Sequence, residues 1–253
     1  MIVKPFNAVF CVLILITFLS AWLIAKSTKS MPEKKKLILM LVLCAVNFII
    51  FVVYKLELSH DTDYYALSGI EKNWLNELPL HLCNINMFLI PIGLLLKDKS
   101  LLGFSFYIAP LGAFMALVCP EREFIGYSLF MPRILGFHLT HMLLIICGIS
   151  IYTLGFYKPK VKDCPGIVGS FLLVSFGVHI LNTLLRSTVC KDANYFFTYG
   201  GNVNALNFFW KLIPVPYLYG IPAILILMAY MAFISLLFLA ADKRKEKRRH
   251  KSL

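Results

Sequence analysis

Four polar side chains stand where a membrane-spanning helix should be apolar. They are His81, Cys83, Asn84 and Asn86, in the stretch "LPLHLCNINMFLIPIG" from Leu78 to Gly93. Each is costly in hydrocarbon unless something pairs with it, so such residues either do chemistry or hold helices together. Of the six histidines, His138, His141 and His179 also fall inside apolar runs, and His179 is followed by Asn182. Neutral histidine serves as a general base near pH 7, and asparagine orients a ring or donates to an oxyanion. That chemistry suits acyl transfer or ester cleavage at the depth of a glycerolipid's ester bonds. Three or four imidazoles could also hold a zinc ion, but no C-x-x-C occurs and the pattern assigns no metal ligands; the cofactor is left open. Interhelical hydrogen bonding, worth about 0.6 kcal/mol per contact, is the plainer alternative. Four costly residues converging without charged partners favour function.

The elements that must position these residues follow from composition. The 253 residues are 59% hydrophobic and 15% charged, with a mean hydropathy of +0.77. A soluble domain carries roughly 45–50% apolar and about 25% charged residues. Apolar runs of about 20 residues, enough to cross a core of about 30 Å, recur along the chain. The expected class is an all-α polytopic integral membrane protein with seven transmembrane helices. They lie near Pro5–Ala25, Leu37–Leu56, Leu78–Leu96, Leu101–Val118, Ile134–Phe156, Gly166–Leu185 and Gly220–Ala241. Residues 1–241 form one seven-helix domain and residues 242–253 a basic cytoplasmic tail. The first run lacks an A-x-A-like end and reads as a span that stays. A β-barrel would need alternating segments of about 10 residues, which are absent.

The net charge of +12 is distributed as in a membrane protein. Lys26, Lys29, Lys34, Lys35, Lys36, Lys97, Lys99, Lys158, Lys160, Lys162 and the tail "DKRKEKRRHK" fall on one set of connections. Together they hold 17 of the 25 basic residues. The positive-inside rule then puts the N-terminus outside and the C-terminus inside. The tail reads as an anchor on anionic headgroups rather than a nucleic-acid arm, so no nucleic acid is expected as partner. Membrane lipids are, along with a lipid or small-molecule substrate; oligomeric state is not legible.

On this topology three helices bring imidazoles to one layer. At 1.5 Å per residue, His81, His138, His141, His179 and Asn182 all lie about 5–10 Å below the outer face. Each of the pairs His138–His141, His179–Asn182 and His81–Asn84 shares a helix face. In a regular helix Cys83 lies about 200° around from His81, so the two make a poor nucleophile–base dyad, and Cys83 is only a secondary nucleophile candidate. Pro79 fits the first turn of that helix.

The outer connections are long and aromatic. "NTLLRSTVCKDANYFFTYGG" offers Arg186, Asn194 and Tyr195 as substrate-binding groups beside Asn84, and could form a lid. "KLIPVPYLYGIP" suggests a fixed re-entry geometry. Glu121, Arg122 and Glu123 read as a solvated charge cluster. Cys119 and Cys190 could pair if the exterior is oxidising.

In order along the chain, "LPLHLCNI", "PEREFIGYSLFMPRI" with "FHLTH", and "NTLLRSTVCKDANYFFTYGG…IPVPYLYG" resemble the YwaF-like family of bacterial integral membrane proteins. That family is distantly similar to eukaryotic transmembrane protein 164, a lipid acyltransferase using a membrane cysteine in a Pro-Cys-His run. The corresponding run here is Pro79-Leu80-His81: His81 matches, and Leu80 holds the nucleophile position. The resemblance thus implies a multi-pass protein of the bacterial cytoplasmic membrane. It further implies a lipid-modifying enzyme, an acyltransferase or acyl hydrolase, with His81 as base and His138, His141, His179 and Asn182 completing the site. The alternative is a transporter or ligand-binding protein using the same pocket. H-x-x-N recurs in two oppositely directed spans, a faint sign of an inverted repeat.

Overall fold

The computed structural model describes residues 1–201 and 204–251. The long elements are α1 (Ala8–Ser27), α2 (Glu33–Leu58), α4 (Leu82–Leu96), α5 (Lys99–Val118), α6 (Pro132–Thr153), α7 (Cys164–Thr188) and α9 (Ile221–Lys251). Two short helices, α3 (Thr62–Ser68) and α8 (Asn204–Leu212), lie in the connections. Among the described residues six helices are long and apolar enough to cross a membrane; α4, the remaining expected span, is a 15-residue apolar helix.

Local chemistry sets several boundaries. The Asn7 side chain accepts from the Phe10 amide at 2.9 Å and starts α1. Asp98 accepts from the Ser100 and Leu101 amides at 2.7 and 3.1 Å, starting α5 directly after Lys97, whose φ of 54° closes the α4–α5 turn. Pro132 and Pro165 occupy the first turns of α6 and α7, where a missing N–H costs nothing.

The third span begins later than expected. The helix starts at Leu82, and His81 is its N-cap, with an extended backbone (φ −71°, ψ 155°). The cause is a competing set of bonds. The Tyr195 hydroxyl donates to the Leu75 carbonyl and accepts from the Leu78 amide, while Pro79 has no N–H to give. The regular-helix phase relating His81 to Cys83 and Asn84 therefore does not apply. The last helix differs in the other direction: α9 runs unbroken through the basic tail, whose Lys and Arg are good helix formers.

Helix α6 is the centre of the bundle. Of its membrane-length window 78% is buried, against 17–28% for α1, α2, α7 and α9. It packs on α1, α2, α4 and α5, while α7 and α9 stand beside α5. Two glycines let backbones close in on it. A Cβ on Gly136 would meet the Tyr54 Cβ at 2.4 Å, and one on Gly148 would meet Pro110 at 2.5 Å. Two apolar clusters fill the bundle. One, around Phe51, Leu117 and Leu144, lies toward the histidine end; the other, around Met40, Ile108 and Ile151, lies toward the lysine end.

Candidate functional site

At the histidine end three connections converge. In the first, Asp61 accepts from the Tyr64 amide (3.0 Å) to cap α3. It also accepts from the Arg133 guanidinium (2.8 Å), which ties this connection to the start of α6. Arg133 is fully buried and its guanidinium lies 4.5 Å from the Tyr127 ring. Lys55, in the last turn of α2, reaches Glu77 at 2.6 Å, and both are largely withdrawn from the surface. Among the described residues no histidine of the spans has a charged hydrogen-bond partner, and the Lys55–Glu77 ion pair lies at the same end of the bundle.

The second connection departs from its expected solvated character as well. A 3-10 turn, Arg122–Phe124, turns Glu123 and Phe124 inward, and Glu123 is 4% exposed. Phe124 stacks on Phe137 at 4.5 Å between ring centres and touches Tyr64. The Glu121 carboxyl is pushed up to about 7, chiefly by burial, with Glu123 and Glu77 adding to the rise and Lys55 opposing it.

The third connection is locked by α7. Asn182 is fully buried and all of its hydrogen-bonding groups are engaged. Its amide donates to the Tyr195 carbonyl (2.7 Å) and Thr198 hydroxyl (2.8 Å), and its oxygen accepts from the Tyr195 amide (2.9 Å). His179 joins through Nδ1 to the Thr198 hydroxyl (3.1 Å) and stacks on Tyr217. Arg186 donates to the Ala193 carbonyl and faces the Tyr199 ring. Asn194 bridges the Tyr199 amide and Gly200 carbonyl. These bonds hold Phe196 and Phe197 at φ of 56° and 53°, a left-handed conformation costing of order 1–3 kcal/mol per residue. Such strain gathers at functional sites.

The strained turn sets Tyr195 and Phe197 about the His81 imidazole, at 5.3 and 5.2 Å between ring centres. Among the described residues that imidazole has no hydrogen-bond partner. It borders a cavity of about 410 Å³ lined also by Tyr64, Glu121, Glu123, Asn194 and Tyr195. His141 lies near enough to His81 for the charge on one to bear on the other, and His138 stands likewise to His141. His138 and His141 are buried on α6 outside the cavity lining, each with Nδ1 on a carbonyl of its own helix, Ile134 at 2.8 Å and Phe137 at 2.7 Å. Those bonds leave Nε2 as the acceptor in the neutral rings.

The expected histidine layer is thus two groups. His81, His141 and His138 form one, and His179 with Asn182 forms a clamp on the connection above it. Asn84 is buried and accepts from the Cys83 thiol at 3.6 Å, and Cys83 packs into the apolar cluster. Cys119 and Cys190 are both free thiols, and Cys190 donates to Asn76 instead. Among the described residues no group of three His, Cys, Asp or Glu side chains could hold a metal. Sequence reasoning missed Lys55, Glu77, Glu121 and Glu123 as parts of the site. Lys55 ends an apolar run and Glu77 precedes "LPLH", the one signal that could have paired them.

Fold and composition define an all-helical multi-pass membrane protein. The chain matches the model of the TMEM164 family over residues 3–240, nearly its whole length, and belongs to that family. No curated protein and no solved structure matches it.

Proposed function

We propose that the protein is a lipid-modifying membrane enzyme acting by acyl transfer or acyl hydrolysis in the cavity beside His81. The observation that carries this reading is a shared space. An imidazole with no hydrogen-bond partner and a carboxyl protonated near neutrality border one cavity at the end of the bundle. His81 takes the proton of a water or hydroxyl as its oxygen adds to an ester carbonyl. Glu121, protonated, returns a proton to the departing alkoxide. His141 and His138 back the base, Asn194 and Tyr195 meet the substrate, and His179, Asn182 and Arg186 keep the strained turn in place. Cys83, bonded to Asn84 and packed in the core, serves structure rather than as nucleophile.

The same reading takes α4 as a seventh traverse, because α2 ends and α4 begins at the histidine end. The N-terminus and histidine end then face outward and the lysine end faces the cytoplasm of a bacterial cell. Transport is the second reading, favoured by a further concavity at the opposite end. The close-packed α5 and α6 between the two support the enzyme instead.

Comparative lipidomics tests the proposal, using cells expressing wild type, His81→Ala, Glu121→Gln and Cys83→Ala at matched membrane levels. The expected result is an altered acyl composition that is lost with the first two variants and kept with Cys83→Ala. Loss with Cys83→Ala in a folded protein would make the reaction covalent. No lipid difference in any strain would move transport or binding to the front.

A further inference from the structure

The lysine end of the bundle holds a second concavity, of about 740 Å³. It lies between the start of α5, the α6–α7 connection and the start of α7. Lys99, Lys158, Lys160 and Lys162 line it, with a single carboxylate, Asp163. That carboxylate already accepts from the Tyr157 hydroxyl at 2.8 Å. Lys158 is engaged by Asp242 of α9 at 2.5 Å. Among the described residues no carboxylate pairs with Lys99, Lys160 or Lys162. Lys99, Lys160 and Lys162 therefore line one concavity whose single carboxylate, Asp163, leaves an excess of positive charge.

The concavity is shaped by the fold. Tyr157 is buried so tightly on α5 that a Cβ on Gly103 would meet its ring at 2.9 Å. Gly155 turns the chain at φ 89°, and the short 3-10 helix Val161–Asp163 carries Lys162 to the rim. Ser100 and Gly166, in the first turns of α5 and α7, also line the space; Asp98 caps the α5 amides, and the α7 N-terminus, without a side-chain cap, adds partial positive charge there. Phe156 and Ile167 supply apolar surface beside the lysines. Topology alone requires lysines at this end of the bundle. It does not require three of them around a concavity with an apolar wall.

We propose that this concavity binds a phosphate-bearing anion, in a bilayer the headgroup of an anionic phospholipid such as phosphatidylglycerol. The phosphate sits among Lys99, Lys160 and Lys162, and the glycerol with the upper acyl chain lies against Phe156 and Ile167. Basic pockets between membrane helices recognise anionic headgroups by this combination. The site is separate from the histidine cavity and does not depend on what that cavity does.

Native mass spectrometry of the detergent-purified protein supplies the test, with phosphatidylglycerol or phosphatidylcholine added back after delipidation. The informative variant is Lys99→Gln/Lys160→Gln/Lys162→Gln. Its control is Lys29→Gln/Lys34→Gln/Lys35→Gln, equal in charge and at the same end outside the concavity. Wild type and control should retain phosphatidylglycerol over phosphatidylcholine, and the first variant should lose it about fivefold per lysine removed. All three lysines are exposed, so the melting temperature should hold, and Lys160→Arg should retain binding. Displacement of the lipid by millimolar inorganic phosphate would identify phosphate as the recognised group. Lysine-dependent binding of inorganic phosphate with no lipid retained would keep the site and move its ligand to solution. Equal loss in variant and control, or none in either, would overturn the proposal.

Discussion

Lys55 and Glu77 form an ion pair whose removal by halves and as a whole should differ. Lys55→Met strands the Glu77 carboxylate in a site where only 8% of its side chain meets solvent. Breaking such a pair costs about 3–5 kcal/mol, whereas replacing both partners by apolar groups is often neutral. Chemical unfolding in detergent should show Lys55→Met strongly destabilised and Lys55→Met/Glu77→Leu close to wild type. Glu121 offers a pH test. Its carboxyl, raised to about 7 by burial and by the Glu123 and Glu77 carboxylates against the opposing pull of Lys55, holds a proton that the unfolded chain loses near 4.5. Between those values the native state binds more protons, so stability should fall as pH rises from 4.5 through 7. Thermal midpoints at pH 5 and 8 should differ by a few degrees less in Glu121→Gln than in wild type. Histidines and asparagines in apolar runs were conspicuous at this scale, because burying them is expensive. The carboxylates were not, because acids in a connection ordinarily face water and only the 3-10 turn at Arg122–Phe124 brings Glu123 inside.

The connection above His81 behaves as one element with one clamp. Asn182→Ala removes three hydrogen bonds, leaves the Thr198 hydroxyl and the Tyr195 amide without that partner, and frees a strained turn to relax. A loss of about 1–3 kcal/mol is expected for each polar group left buried and unsatisfied. Limited proteolysis between Cys190 and Gly200 should become rapid in this variant while the helices stay intact. The α2–α6 crossing gives a second element-scale outcome. Gly136→Ala forces a methyl onto the Tyr54 Cβ, which moves only with its backbone, and should destabilise by about 1–3 kcal/mol as measured by thermal unfolding. Long apolar periods and first-turn prolines made the helices readable to within a few residues. The start of α4 was not readable, because Tyr195, more than a hundred residues away, decides it. Nor were α3 and α8, too short to carry a period of their own.

The molecule segregates its chemistry by end, with acids, histidines and aromatics at one and lysines at the other. The seven-traverse reading places Ser68 and Ser100, which flank α4, on opposite sides of the membrane. Single cysteines introduced there in a cysteine-free background should react with an impermeant thiol reagent from opposite faces, and reaction from one face would leave six crossings. The charge asymmetry was legible because it needs only the order of the connections. The cavity was not, because it is assembled from three of them. The uneven burial of the helices also has a mechanical side. Helix α9 leans on α7 and the 3-10 turns Val161–Asp163 and Leu218–Gly220 and buries 17% of its span, while α6 is held on all sides. Pulled by its C-terminus in a force spectrometer, the chain should give up α9 first, at low force and in one step. The α2–α4–α5–α6 block should then resist as a unit, a rigid keel with a detachable outrigger.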